Sequence, residues 1–301
     1  MKIGNLKFRK RIIALALLVG ALPFIFIASA YAGETTETGT QKPGLWDDYK
    51  KPVGFTYGAS AKLQTNYLWR GIYAGGLNLQ VDGSVGYGGL YATAWWNIGA
   101  MDWTFSAFEP EFDFLIGFNR WGLNVFLLYI HNFNCGFFDF TNYPDRGNRL
   151  EVDVSYTLST KIPLTILWAT RFGAADGYTV CRATDPEHDV CVLDTVRAWS
   201  SYLELSYTQA LPYGLSLYGA VGLTPWKSCY TWYEGDFAVN NVDIRLRKDW
   251  SIHERVGLML QGELCLHPYF MARDKASVQW RPDYPWFQSL NLNLALGVYL
   301  K

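Results

Sequence analysis

Leu290-Asn291-Leu292-Asn293-Leu294-Ala295-Leu296-Gly297-Val298-Tyr299-Leu300 changes character at every step. Leu290, Leu292, Leu294, Leu296, Val298 and Leu300 share one face, while Asn291, Asn293, Ala295, Gly297 and Tyr299 share the other, with Ser289 extending it upstream. A helix, turning once about every 3.6 residues, would scatter the six apolar positions around its whole circumference. The stretch is a strand with one apolar face.

Outward from it, the same period of two recurs in twelve stretches bounded by turn signals: about 57–70, 77–87, 89–98, 108–118, 122–131, 148–158, 163–172, 199–210, 214–223, 239–248, 252–265 and 287–300. Alternate connections are tight: Tyr87-Gly88-Gly89, Asn119-Arg120-Trp121-Gly122, Ser159-Thr160-Lys161-Ile162, Leu211-Pro212-Tyr213-Gly214 and Lys248-Asp249-Trp250-Ser251. The others, near 71–76, 99–107, 132–147, 173–198, 224–238 and 266–286, are longer. Short turns at one end and long loops at the other are the asymmetry of an outer-membrane barrel, with turns toward the periplasm and loops outward. The expected fold is therefore all-β, a transmembrane antiparallel β-barrel of about 12 strands with both chain ends in the periplasm. A soluble sandwich or lipocalin-type barrel would instead turn its apolar residues inward and would not need a long loop at every second connection.

The N-terminus supplies the destination. Lys7, Arg9, Lys10 and Arg11 precede an apolar stretch from Ile12 to Ile27, and Ala28-Ser29-Ala30 or Ala30-Tyr31-Ala32 follows as a small-x-small cleavage pattern. Residues 1–32 read as a signal peptide, 33–54 as a polar periplasmic lead-in without periodicity, and 55–301 as the barrel. After the signal, no run approaches the ~18 to 20 apolar residues of a membrane-spanning helix. Its removal takes five basic residues and no acidic ones, so the formal charge falls from −1 to about −6, which disfavours nucleic acid as a partner. The 17% aromatic residues and 28 Gly are rich for a soluble domain and suit aromatic belts at two membrane surfaces. Trp69, Tyr91, Trp96, Trp168, Trp199 and Tyr207, near strand ends, are the expected girdle residues. The expected location is the bacterial outer membrane, with its lipid and lipopolysaccharide as partners; association with another outer-membrane protein or a second copy is left open.

Five cysteines in an exported chain point to disulfides. Cys181 and Cys191 enclose a short polar stretch, the pattern of a local loop staple. Cys229 and Cys265 are the candidates for a second bridge, leaving Cys135 free or paired outside the chain. No Cys-x-x-Cys pair is present and the four His are scattered, so no metal site and no cofactor are expected.

Strand phase identifies the residues that face the lumen. Phe112, Phe114 and Ile116 toward lipid turn Glu111 and Asp113 inward; Leu150, Val152, Val154 and Tyr156 toward lipid turn Glu151 and Asp153 inward; Glu204 joins them from the eighth strand. Arg245 and Arg247 from the tenth strand, Arg255 from the eleventh, and Lys62 and Arg70 from the first make up a basic set. Facing lipid at mid-depth, each basic residue would cost about 2 to 4 kcal/mol, so these charges belong in a lumen. Acidic and basic walls would then oppose one another, a field that orients dipolar solutes in a channel, unless the groups pair and plug the interior.

No catalytic constellation is legible. His131, His188, His253 and His267 sit near loops or strand ends without a Ser-rich motif of the kind an activated nucleophile needs. Asp185, Glu187, His188 and Asp189 imitate the acid and His pairs of omptin-like proteases, but all four lie in one loop between Cys181 and Cys191 and read as solvated loop polarity, in contact with divalent ions or lipopolysaccharide.

Asn66-Tyr67-Leu68-Trp69-Arg70-Gly71-Ile72, followed by Gly89-Leu90-Tyr91-Ala92-Thr93-Ala94-Trp95 and Glu111-Phe112-Asp113 with Gly117, resembles the opening of the TorF-like putative porins. The resemblance covers residues 60 to 118 and implies an outer-membrane barrel with a porin role and no assigned substrate. Unlike many outer-membrane barrels, which finish on an aromatic residue, the chain ends Tyr299-Leu300-Lys301. The functional expectation is a channel for passive passage of small polar solutes or ions. The alternatives are a barrel with a closed lumen whose long loops bind a partner or polysaccharide, and a barrel hydrolase acting on lipid or peptide.

Overall fold

The computed structural model describes residues 54–101, 109–131, 133, 135–141, 147–159, 162–185, 190–269 and 290–300. The expected signal peptide and nearly all of the lead-in lie outside the described residues. Twelve strands close one antiparallel barrel: β1 (Phe55–Gln64), β4 (Leu77–Tyr87), β5 (Leu90–Met101), β6 (Glu109–Arg120), β7 (Leu123–His131), β8 (Arg149–Thr157), β9 (Leu164–Ala174), β12 (Ser201–Leu211), β13 (Leu215–Thr224), β14 (Ala238–His253), β15 (Val256–Leu266) and β16 (Leu290–Leu300). Two hairpins stand apart from the wall, β2 (Tyr67–Trp69) with β3 (Ile72–Gly75), and β10 (Gly177–Asp185) with β11 (Val190–Arg197). Each ring strand corresponds to one of the twelve periodic stretches. The ring is sealed where β16 pairs with β1, Gly297 opposite Lys62 and Leu296 opposite Leu63, so none of the twelve ring strands presents an unpaired edge.

The faces are the reverse of a soluble barrel's. On β16, Leu290, Leu292, Leu294 and Leu296 are 53%, 69%, 62% and 51% exposed, whereas Asn291, Asn293 and Ala295 are 1%, 3% and 1% exposed. Exposed apolar residues continue around the ring through Val85, Ile116, Leu127, Val154, Ile166, Leu205, Val221, Ile244 and Leu260. A continuous belt of this kind is what a hydrocarbon solvent selects, because burying it in lipid offsets its exposure. Aromatic residues mark both margins: Phe55, Tyr87, Trp121, Tyr213 and Trp250 toward the turns, and Trp96, Trp168, Trp199 and Trp226 toward the loops. Trp69 and Tyr91 do not belong to these girdles. Trp69 rides on the first hairpin and packs against Tyr230, and the Tyr91 hydroxyl donates to Asn124 inside the barrel.

Two boundaries differ from the sequence expectation, and both matter for the lumen. The expected strand 57–70 ends at Gln64; the backbone N–H of Asn66 donates to Asn293 Oδ1 and the chain then leaves the wall to form β2 and β3. The expected turn Lys248-Asp249-Trp250-Ser251 is strand: β14 runs on to His253, with Lys248 opposite Leu260 and Trp250 opposite Leu258. Its polar composition imitated a turn because Arg247 and Asp249 pair on the lumen face. At the β4–β5 connection, Gly88 and Gly89 take φ of +63° and +100°, the left-handed geometry that a two-residue hairpin needs and a side chain disfavours.

Candidate functional site

The first hairpin folds into the barrel. Its tip is Arg70-Gly71, with φ of +51° and +84°, and a Cβ on Gly71 would collide with the Asn240 carbonyl of β14; the glycine is what lets the tip press against the wall. Asn240 Nδ2 in turn donates to the Arg70 carbonyl at 3.2 Å. Tyr67, one strand back, donates its hydroxyl to Glu111 Oε1 at 2.5 Å. Thus anchored, the hairpin carries Arg70 across the lumen to β8, where Nη1 lies 2.7 Å from Glu151 Oε1 and Nη2 lies 2.7 Å from Asp153 Oδ2. Trp69 and Tyr202 present ring faces to the guanidinium at 4.8 and 5.0 Å, a cation–π environment that favours arginine over lysine.

A second inward element comes from residues 225–237. Ser228 accepts from the Tyr230 backbone N–H at the start of a 3-10 turn, Cys229–Thr231. The Cys229 N–H donates to Ser200 Oγ at 2.8 Å, and Ser200 donates through both its N–H and its hydroxyl to Asp176. On the far side, His267 Nε2 donates to the Tyr230 carbonyl at 3.2 Å. Tyr230, fully buried, thereby meets Arg70, whose Nη1 donates to its hydroxyl at 2.5 Å. Arg171 of β9 completes the cluster, 3.6 Å from Glu151 Oε2. Burial pushes His267 down to about 4 and the Cys229 thiol up, and it raises the Asp176 carboxyl although Arg171 and Ser200 act against it.

All five expected acidic residues, Glu111, Asp113, Glu151, Asp153 and Glu204, lie on the lumen phase of their strands. Glu204 is held by the hydroxyls of Tyr202 and Tyr218, at 2.5 and 2.7 Å, with no cation paired to it among the described residues. Of the basic set, Lys62, Arg245 and Arg247 line the opposite side on β1 and β14. Arg70 does not belong to that wall but crosses to the acidic one. Arg255 is exposed in the Glu254-Arg255 turn, because β14 is longer than its sequence suggested; it has no part in the lumen. Arg245 meets Asp243 of its own strand and Glu263 of β15, the latter at 3.2 Å, and Arg247 meets Asp249 at 2.7 Å. Local pairing thus compensates Arg245 and Arg247 on one side and Glu151 and Asp153 on the other. Arg171 was legible by the phase that assigns Glu151, since Ile166, Trp168 and Phe172 face outward on β9. Tyr230 carried no such signal, being in an aperiodic loop.

Between these groups a cavity of about 880 Å³ remains, reaching from Lys62, Asp82 and Gln261 to Glu111, Arg149 and Trp232. Cys229 and Cys265 are both free, which corrects the expected second disulfide: Cys229 is fixed on the inserted turn, and Cys265 faces Asn241, to whose Oδ1 its thiol lies at 3.4 Å. Cys135 is free as well, 3.5 Å from Asn148 Oδ1. Cys181 is disulfide-bonded; it stands on β10 opposite Leu193, while Cys191 stands on β11 opposite Thr184, and the side chain of Cys191 is outside the described set. Asp185 ends β10, and Glu187, His188 and Asp189 lie outside the described residues. His131, His253 and His267 fall at the ends of three different strands, with His131 bound to Asn148 at 2.6 Å.

No family model and no curated protein sequence matches this chain. Among solved structures it is similar to the NanC porin, at 11% identity with a TM-score of 0.41, over 82% of this chain and 100% of that one. It is also similar to an outer membrane channel from Pseudomonas putida F1, at 12% identity with a TM-score of 0.38, over 88% of this chain and 99% of that one. The functional reading therefore stands on the geometry of this barrel.

Proposed function

We propose that this chain is a bacterial outer-membrane channel for the passive passage of small polar solutes or ions, narrowed on its loop side by the Arg70 clamp. The observation that carries the reading is the closed ring with an apolar belt outside and a charged lumen enclosing a cavity of about 880 Å³. Lipid and lipopolysaccharide are the partners this belt fits, and the export signal read in residues 1–32 supports the location. The TorF-like resemblance of residues 60–118 agrees with a porin role, and its motif Asn66 to Ile72 carries β2 and the Arg70-Gly71 tip of the inward hairpin. The test is single-channel recording of the refolded mature barrel in planar bilayers. Discrete conductance steps are expected; a folded, inserted barrel that passes no current would sink the proposal.

One observation favours a second reading, a closed lumen whose outer loops bind a partner or polysaccharide. Arg70, Arg171, Glu151, Asp153 and Tyr230 fill part of the cross-section with paired groups, as a plug would. A silent parent barrel that begins to conduct in Arg70→Ala would favour the plug, whereas conduction by the parent favours the channel.

A further inference from the structure

We propose that the lumen contains a subsite for the ammonium group of a small amine-bearing solute, formed by Asn97, Glu111 and Asp113 beside the rings of Tyr67 and Trp95. The assignment rests on the channel reading and names the solute class it would favour. The β5–β6 register sets Trp95 opposite Asp113 and Asn97 opposite Glu111, so four side chains form a two-by-two tile, and all four line the cavity. Asn97 is 1% exposed, yet neither its Oδ1 nor its Nδ2 has a hydrogen-bond partner; Asp113 Oδ1 is also buried without one. Buried polar atoms are almost always satisfied, so orphaned atoms that converge on a cavity call for an occupant with complementary groups.

The chemistry of that occupant follows from what the tile lacks. Glu151 and Asp153 have Arg70 and Arg171 beside them, but Asp113 has no ion-pair partner among the described residues; Arg149 is the cation near this tile. One Glu111 oxygen already accepts from Tyr67, Asn97 Oδ1 can only accept, and a cation beside Asp113 would favour its ionised, acceptor-only form. A primary ammonium offers three N–H donors with a positive charge, and Tyr67 and Trp95, with ring centroids 5.7 Å apart, add faces that attract a cation. The remaining Asn97 N–H groups suit an oxygen on the neighbouring carbon of the same solute. Amino sugars and amino alcohols carry this combination; plain sugars lack the charge.

The test uses the full mature barrel refolded in detergent, its folding checked by the gel shift between unheated and heated samples. Glucosamine, N-acetylglucosamine and glucose are titrated by calorimetry and by tryptophan fluorescence. Glucosamine should bind saturably and at least tenfold tighter than the other two; Asp113→Asn should weaken it at least tenfold; Asn97→Asp, which adds a carboxylate, should tighten it at least threefold. Equal binding of the three sugars would overturn the ammonium class, and so would an absence of binding to the folded parent. Should Asp113→Asn fail to fold, the sugar comparison and Asn97→Asp still decide. Because these readouts need no current, glucosamine binding to a barrel that never conducts would uphold the subsite and remove the channel reading alone.

Discussion

Arg70 shares its guanidinium between Glu151 and Asp153, which are 0% and 2% exposed, so truncating it leaves two buried carboxylates with Arg171 as the remaining ion-pair partner among the described residues. Removing one partner of a buried ion pair costs about 3 to 5 kcal/mol. Arg70→Ala should therefore release the first hairpin, seen as a lower denaturant midpoint together with a larger single-channel conductance. Arg70→Lys should fall between Ala and the parent, since it keeps the charge but loses the two-pronged geometry. An unchanged conductance in Arg70→Ala would remove the hairpin from the conduction path. At this scale the sequence was half legible. Phase assigned Glu151 and Asp153 to the lumen because a strand residue has only two faces to choose between, whereas Arg70 leaves the wall, and no periodicity reports where a loop residue lands.

The two inserted elements depend on how their loops are tied. His267 binds the Tyr230 carbonyl in its neutral form, with its pKa pushed down to about 4 against an ordinary value near 6.5. Above pH 6.5 neither the seated nor the released segment takes up the proton, and the contact is at full strength. Between about 6.5 and 4 only the released form binds it, so seating of residues 225–237 should weaken as pH falls, by on the order of 3 kcal/mol in all, and level off below 4. Current noise or proteolytic cutting in this segment should rise over that window, and His267→Gln should flatten the dependence. A parallel rise in the variant would exclude His267 as the cause. For the other hairpin, we propose that Cys181 pairs with Cys191, whose backbones sit on facing strands β10 and β11. Thiol labels should reach them on intact cells only after reduction; labelling without reductant would exclude the bridge. The ring strands were legible because one apolar face repeats every second residue, while β2 and β3 are too short to show a period and β10 and β11 have no membrane to impose one.

Across the whole barrel the question is how much field the lumen keeps once its charges have paired. Five basic and five acidic side chains line the cavity, so the parent should discriminate only weakly between small cations and anions. Pairing is local, and this makes the balance easy to tip. Neutralising Arg245 and Arg247 together leaves Asp243, Asp249 and Glu263 on β14 and β15 without their arginine partners. Solutes crossing the lumen pass such groups within a Debye length, roughly 10 Å at 0.1 M salt, so cation preference should rise. Replacing Glu111 and Asp113 by their amides removes negative charge from β6 and should shift the reversal potential the other way. Raising salt tenfold shortens the screening length to about 3 Å and should shrink both shifts, which separates a field effect from a change in pore width. If the groups serve only as a structural plug, both variants should lose heat stability or gain conductance without opposite shifts in selectivity. Identical reversal potentials in the parent and both variants would show that the lumen charges hold the barrel together and do not select what passes through it.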